Sequence, residues 1–299
     1  MQTPKKGLAL VGAQSLLGVG LLGLSLLVGS PAAAQDGYVY PGSAGFNDSY
    51  SRLISDSING HLRPFTHLAI DPIMHPGEVL QFAGLKRSVR VGELEAGDGY
   101  WSFVLAGAVS DTGFLYSYTS AATNNAKFAT RNVCCMRHMS LTEKPLTDFA
   151  PAEKLDIAFS AYTYHKSKKA PGGPPGAPPV APISSDVINK KVFDSLKPGG
   201  TYVILDYVGD PKMTPAEAAA VERIDPALVR KEVEAAGFVF AGESDVLRNK
   251  NDLHIGLAMG GQNGDQGGAL YLNSDKMLLR FTKPGRSVDV MDGVIASAN

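Results

Sequence analysis

The segment Glu-Leu-Glu-Ala-Gly-Asp-Gly at residues 93–99 combines three carboxylates with two glycines. An apolar-alternating run that starts at Ser88 precedes it, and the apolar run 101–109 follows it, which predicts a strand, a tight turn and a helix. Glycines in such a turn let the backbone approach a ligand closely, and the helix directs its free N–H groups at that ligand. The segment therefore indicates a ligand site, although a purely structural turn would have the same composition.

The position of the next apolar run favours a nucleotide-linked ligand. The run 114–118 is predicted as a second strand, and it ends about 20 residues after Gly99, where a nucleotide-binding βαβ unit places its ribose contact. A dinucleotide-dependent oxidoreductase would have glycine at position 102, which is Ser102 here. An oxidoreductase is therefore the least favoured of the functions considered.

A second group of reactive side chains follows a different apolar run. The run 155–160 has the composition of a buried parallel strand, and Tyr164 and His165 come shortly after it. Asp206 ends another predicted strand, 201–206. Because histidine titrates near neutral pH, these three residues are candidates for acid–base catalysis, with His165 foremost. A histidine at a strand end can also serve only as a hydrogen-bonded structural residue.

Both groups of candidate residues lie at the ends of predicted strands, so a sheet must bring these strands together to form a site. Further strands are predicted at 139–143, 238–245 and 276–283. Helices are predicted at 76–84, 101–109, 186–196 and 225–237, and a turn at 197–200. The predicted fold class is α/β, a Rossmann-like three-layer sandwich with a seven-stranded, mostly parallel sheet and an antiparallel C-terminal strand.

The N-terminus has the pattern of a secretory signal peptide. Lys5 and Lys6 precede an apolar stretch, and an Ala-x-Ala site ends directly before Gln35. This pattern predicts a cleaved leader over residues 1–34 and a periplasmic or secreted protein. The remaining chain is divided into a flexible lead-in, the main domain and a C-terminal tail, at 35–48, 49–286 and 287–299.

The composition of the chain argues against several classes of binding partner. The formal net charge is −1 and there is no basic cluster, which argues against nucleic acid. After removal of the leader no segment is long enough to span a membrane. Cys134 and Cys135 are adjacent and cannot join distant elements; two thiols are favoured over a vicinal disulfide. No metal-ligand spacing is present, and the sequence does not indicate an oligomeric state.

Residues 166–185 are the most biased segment after the leader, with six prolines. Such a density of proline and glycine predicts an extended surface loop. A long loop at the carboxyl end of a strand is more often functional than idle. We therefore expect replacement of 168–182 by a short linker to change acceptor use while leaving folding nearly unchanged.

Several segments in combination resemble one protein family. These are 75–84, the glycine segment with Tyr100, Tyr164 with His165, 196–200 and 223–248. Together they resemble the exported "predicted methyltransferase" family of bacterial class I folds, over roughly residues 50 to 286. The resemblance implies an S-adenosylmethionine site at the carboxyl ends of the strands and methyl transfer to a small-molecule substrate.

The resemblance also implies roles for individual residues. Gly97 and Gly99 would lie along the methionine part of the donor, in the same loop as Asp98, and Glu93 would hold its ammonium. Tyr118 and Thr119 end the second strand, where the ribose binds. Glu143 would meet the adenine amino group, and Ser160 ends the strand at which donor and acceptor meet.

The chain departs from the family pattern at three positions. Glu95 replaces the first glycine, Thr119 replaces an acid that would bind both ribose hydroxyls, and Lys166 stands where the family often has an acid after the histidine. The first two departures predict weak donor binding, which Thr119→Glu should tighten unless a nearby acid compensates. They also permit an alternative function, a non-catalytic binding or scaffold protein on a methyltransferase fold.

Overall fold

A computed structural model describes residues 54–55, 57–58, 63–109, 112–120, 136–172, 182–258 and 274–285. All of them belong to one unit of the chain, Tyr40–Asn299. The expectations for the leader 1–34, for Cys134 and Cys135, and for the tail 287–299 lie outside the described residues. In the described part of the chain, no helix is long and apolar enough to cross a membrane.

Seven strands form one sheet in the order β3-β2-β1-β4-β5-β7-β6. The strands are β1 Arg90–Leu94, β2 Phe114–Thr119, β3 Met139–Glu143, β4 Leu155–Ala161, β5 Leu196–Tyr207, β6 Val239–Ser244 and β7 Lys276–Thr282. Every pairing among β1 to β5 is parallel, whereas β7 is antiparallel to both β5 and β6. The predicted α/β fold with an antiparallel last strand is confirmed.

Helices cover both faces of this sheet. They are α1 Phe65–Leu68, α2 Asp71–Met74, α3 Pro76–Ala83, α4 Tyr100–Val109, α5 Ser185–Ser195, α6 Pro215–Ala220 and α7 Pro226–Ala235. Proline, glycine and a capping side chain mark the ends of these helices as predicted. Pro76 is the first residue of α3, and Gly84, with φ +72°, directly follows its last residue. The Asp225 side chain accepts a hydrogen bond from the first turn of α7.

The alternation of side chains along the strands divides the core into two layers. Val91, Phe159 and Leu205 face α3 and α4, whereas residues such as Ala158 and Ile204 face the side covered by α5 and α7. Strands buried on both faces read as continuous apolar runs, which is why the sequence pattern revealed them. The predicted three-layer sandwich follows from this arrangement.

Two predicted boundaries differ from the structure. The turn expected at 197–200 belongs to β5, because Leu196 already pairs with Leu155 and the Gly199 amide donates to Lys283 at the end of β7. The proline-rich loop begins later than predicted, because Tyr164–Lys168 is a 3-10 helix that Lys168 anchors through an ion pair of 2.5 Å with Glu232. The middle of that loop, 173–181, lies outside the described residues.

Candidate active site

The two groups of candidate residues lie along one edge of the sheet. Parallel pairing places Leu94 opposite Ser160 and Ala161 opposite Leu205, so β1, β4 and β5 end side by side. On the other side of β1, the β2 residue Thr119 pairs with Glu143 of β3. The carboxyl ends of such strands form the crevice in which ligands of open α/β sheets bind.

Glu93 is the most deeply buried acid of the glycine segment, with 2% of its surface exposed. Its Oε2 accepts hydrogen bonds from the hydroxyls of Ser102 in α4, at 2.6 Å, and Ser117 in β2, at 2.5 Å. Burial raises the pKa of this carboxyl to about 7, against the lowering effect of the two hydroxyls. Glu93 thus connects three elements, and its contact with a donor ammonium stays a prediction.

Glu95 takes up a backbone conformation that glycine favours, with φ +61°. Its side chain reaches the end of the neighbouring strand, where Oε1 accepts from the Ser120 backbone N–H at 2.6 Å and Oε2 from the Ser120 hydroxyl at 2.8 Å. Ser120 directly follows Thr119. Glu95 therefore places a carboxylate beside Thr119, the position at which the resemblance implies a ribose-binding acid.

The rest of the glycine turn is open on one side. Gly97 has φ +57° and Gly99 has φ +89°, and among the described residues a Cβ on Gly97 would meet no atom closer than the Glu95 carbonyl oxygen at 4.0 Å. Asp98 caps α4 by accepting from the Tyr100 backbone N–H at 3.1 Å. A backbone face without side chains beside several carboxylates fits the aminoacyl end of S-adenosylmethionine in shape and chemistry.

A buried ion pair, which was not among the residues predicted from the sequence, joins this turn to the helices before β1. Arg63 donates to both carboxylate oxygens of Asp71, at 2.7 and 2.6 Å, and Tyr100 at the start of α4 donates to Asp71 at 2.7 Å. His67 packs against the Tyr100 ring, and burial lowers the pKa of His67. No local periodicity signals a pair eight residues apart across two short helices.

His165 and Asp206 form a buried pair at the ends of β4 and β5. Nδ1 of His165 lies 2.8 Å from Oδ1 of Asp206, and the His165 backbone N–H donates to Oδ2 at 3.0 Å. Their side chains are 1% and 0% exposed. Nε2 of His165 is buried and has no hydrogen-bond partner among the described residues. Asp206 therefore orients the His165 ring. Lys166, the residue after the histidine, cannot do so, because its ammonium accepts no hydrogen bond.

Tyr164 is not brought to this pair. Its hydroxyl donates to Glu232 of α7 at 3.1 Å and accepts from Asn189 of α5 at 2.9 Å. Burial raises the pKa of the Tyr164 hydroxyl above its usual range. The Tyr164 side chain joins α5 and α7 on one face of the sheet. His165, the next residue, contacts Asp206.

The remaining predicted donor residues occupy different environments. The Tyr118 ring packs against the Phe149 ring at an angle of 59°, and its hydroxyl accepts from the Ala150 backbone N–H at 3.3 Å, so it points away from the glycine turn. Thr119 and Ser160 are buried at their strand ends, and Glu143 is exposed at the end of β3. Their contacts with a donor stay predictions.

A cavity of about 770 Å³ adjoins the same edge, and no sequence pattern indicates it. It is lined by His75 between α2 and α3, by the segment 246–257 after β6, and by Lys276 at the start of β7. Lys276 pairs in register with Tyr207, whose ring stacks on Tyr162 at 4.6 Å. Burial lowers the pKa of the Lys276 ammonium to about 8. In the described ranges, no group of His, Cys, Asp and Glu is arranged to hold a metal ion.

Comparison with known proteins finds no sequence family and several distantly similar solved structures. No protein-family model matches the chain, and no curated protein sequence matches it significantly. Similar solved structures include a SAM dependent methyltransferase from Aquifex aeolicus (15% identity, TM-score 0.48, 74% of this chain and 100% of that one). A putative sarcosine dimethylglycine methyltransferase from Galdieria sulphuraria has 12% identity and a TM-score of 0.49, covering 74% and 88% of the two chains.

A third similar structure is a possible exported protein from Bordetella parapertussis, at 14% identity and a TM-score of 0.44, covering 72% of this chain and 68% of that one. Identities and TM-scores of this size carry no argument about activity or location. The fold assignment rests on the strand order and on the single antiparallel strand.

Proposed function

We propose that the protein is an S-adenosylmethionine-dependent methyltransferase that acts on a small molecule, with His165 as the general base. The observation that carries this proposal is the His165–Asp206 pair with its unpartnered Nε2. A general base needs an orienting partner on one ring nitrogen and a free lone pair on the other. Both conditions are met at the sheet edge that also holds the open glycine turn.

Each residue of the site has a defined task in this proposal. Gly97 and Gly99 would hold the aminoacyl end of the donor against the backbone. When bound, S-adenosylmethionine supplies a methyl group that is already activated on a sulfonium. Asp206 accepts from Nδ1–H and so leaves the lone pair on Nε2, which takes the proton that the acceptor loses. Alignment supplies most of the remaining acceleration.

The cavity beside β5 and β7 supports a small molecule as the acceptor. Its volume of about 770 Å³ lies within the range of pockets for such ligands. The ammonium of its lining residue Lys276 lies 5.7 Å from the ring of Tyr207, the residue that follows Asp206 in sequence. We therefore place acceptor binding on the β5–β7 side and donor binding on the β1–β2 side.

Calorimetric titration with S-adenosylmethionine and S-adenosylhomocysteine tests the proposal. We expect the wild type to bind both. His165→Gln should keep that affinity and lose transfer of a radiolabelled methyl group to any small acceptor that the wild type methylates. His138→Gln, at the turn before β3, is a matched control that should retain both properties. Failure of the wild type to bind either compound would instead favour the non-catalytic binding or scaffold protein.

Export belongs to the same proposal. Lys5, Lys6 and the Ala-x-Ala site before Gln35 support a cleaved leader and a periplasmic or secreted location. Mass spectrometry of the natural protein should find its N-terminus at or near Gln35. Recovery of full-length protein from the cytosol would contradict it.

A further inference from the structure

We infer that Glu95 supplies the carboxylate that accepts the hydrogen bonds of the donor's ribose hydroxyls, in place of the acid absent from position 119. The inference rests on the proposed function, because it concerns the same donor. Under this inference, the residue that replaces the first glycine binds the ribose, whereas the family pattern uses an acid at the end of the second strand.

The backbone brings Glu95 to the required place. Glu93 pairs with Ser117, so the chain leaving β1 runs alongside the end of β2. The Ala96 backbone N–H then donates to the carbonyl oxygen of Tyr118 at 2.8 Å, which ties the turn to the last residues of β2. The Glu95 side chain continues to Ser120. Its carboxylate thus lies at the end of β2, where a ribose would be held.

The carboxylate keeps acceptor capacity for a diol. An ionised carboxylate offers about four lone-pair sites. The backbone N–H and the hydroxyl of Ser120 use one site on each oxygen, at 2.6 and 2.8 Å. About two sites remain, which matches the two hydroxyls of a ribose. Glu95 is partly exposed, so these sites can be reached from the crevice.

The conformation of Glu95 also argues for a specific task. A non-glycine residue at φ +61° is strained, and such strain persists only where the surroundings fix it. The two bonds to Ser120 fix this residue. Thr119 beside it is neutral and buried, so position 119 itself sets no second carboxylate next to Glu95. Neutral Thr119 and acidic Glu95 are therefore complementary.

Titration with 5′-methylthioadenosine isolates the ribose end, since this compound keeps adenine and ribose and lacks the amino-acid part. We expect Glu95→Gln to weaken binding of both 5′-methylthioadenosine and S-adenosylhomocysteine by about 10- to 100-fold, the loss expected when hydrogen bonds to a charged acceptor are removed. Glu234→Gln, at an exposed acid of α7, is the matched control and should stay within about twofold of wild type.

A glycine substitution tests whether Glu95 binds the ribose or only occupies a position in the turn. If Glu95 only occupies a position that glycine suits better, Glu95→Gly should bind these compounds as well as wild type or more tightly. We expect it to bind more weakly, and Glu95→Gly with Thr119→Glu to regain the affinity. Thr119→Glu alone should weaken binding, because it sets a second carboxylate beside Glu95. Circular dichroism and melting curves would establish that each variant is folded.

A deoxyribose analogue gives an independent readout. The wild type should bind 2′-deoxy-5′-methylthioadenosine more weakly than the parent compound, and Glu95→Gln should lose most of that discrimination. Wild-type binding that Glu95→Gln leaves unchanged would overturn this inference alone. Absence of binding by the wild type would overturn the proposed function and this inference with it.

Discussion

The β1–β2 and β4–β5 parts of the same sheet edge are assembled from residues at very different distances along the chain. In the β1–β2 part, Glu93 and Glu95 act within one strand–turn–helix unit and the strand that follows it. In the β4–β5 part, His165 and Asp206 are 41 residues apart and meet only because β4 and β5 pair. The first part could be read as a motif, whereas the second depends on the topology of the sheet.

The two parts also differ in the groups that donate hydrogen bonds to their acids. Glu93 accepts from two serine hydroxyls, which can bond to either protonation state of a carboxyl. Asp206 accepts from the backbone N–H groups of His165 and Tyr207 as well as from the imidazole. Backbone N–H groups are obligatory donors, so they fix the acceptor in place. Substitutions should therefore disturb the two parts in different ways.

The largest effect should come from Asp206→Asn. An amide nitrogen cannot accept a hydrogen bond, so one of the three donors around Asp206 is left unpaired or the His165 ring changes its tautomer. We expect kcat to fall by about 10²- to 10⁴-fold while the Kd of the donor stays unchanged. Kinetics with an acceptor that the wild type methylates, beside donor titration, would measure both. An unchanged kcat would remove the pair from the mechanism.

Asp71→Ala should be the most destabilising change on the β1–β2 side. It leaves Arg63, whose side chain is 1% exposed, without its carboxylate, and removes the acceptor of the Tyr100 hydroxyl. Loss of one partner from a buried pair costs about 3–5 kcal/mol in free energy of unfolding. Urea unfolding would measure it. The exposed pair Lys190–Asp194 provides the control, since Asp194→Ala should change stability little.

Glu93 should make the stability of the folded protein depend on pH. Its folded pKa of about 7 lies above the usual 4.5, so the folded state binds the proton more tightly. The resulting stabilisation is fully present below about pH 4.5 and is lost as the pH rises towards about 7, a change of about 3 kcal/mol. Urea unfolding at several pH values should show this loss in the wild type and not in Glu93→Gln. Parallel curves for the two proteins would contradict it.

Tyr164→Phe should have the smallest effect and would sharpen the distinction between neighbours. It removes the hydroxyl that joins Asn189 and Glu232, which should lower the free energy of unfolding by about 1–2 kcal/mol. Methyl transfer by the folded variant should be unaffected, unlike that of His165→Gln. A loss of kcat without a loss of stability would return Tyr164 to the catalytic site.

The parts of this structure that follow from local pattern were predictable. Apolar runs located all seven strands, and the positions of Pro76, Gly84 and Pro226 located helix ends. The glycine turn and the two strand ends were also placed correctly on the sheet edge. Periodicity reports which way a side chain faces, and these elements need no more than that.

Contacts between distant residues could not be predicted in this way. The expectation that His165 would lack an orienting partner considered only the next residue, Lys166, whereas Asp206 provides it from another strand. The expected gain from Thr119→Glu assumed that no nearby acid compensates, and Glu95 lies at that point. Sequence pattern shows that a residue is unusual, but only the pairing of strands shows what faces it.

The position of β7 has a consequence for how the chain is made. Among the described residues, 276–282 form the last strand, yet they lie between β5 and β6, and no other described strand pairs with β6. Until this segment has been synthesised, β5 and β6 each keep an open edge, which other chains can pair with. During translation the whole glycine turn at 95–99 can form early, but the sheet closes only when its last strand inserts.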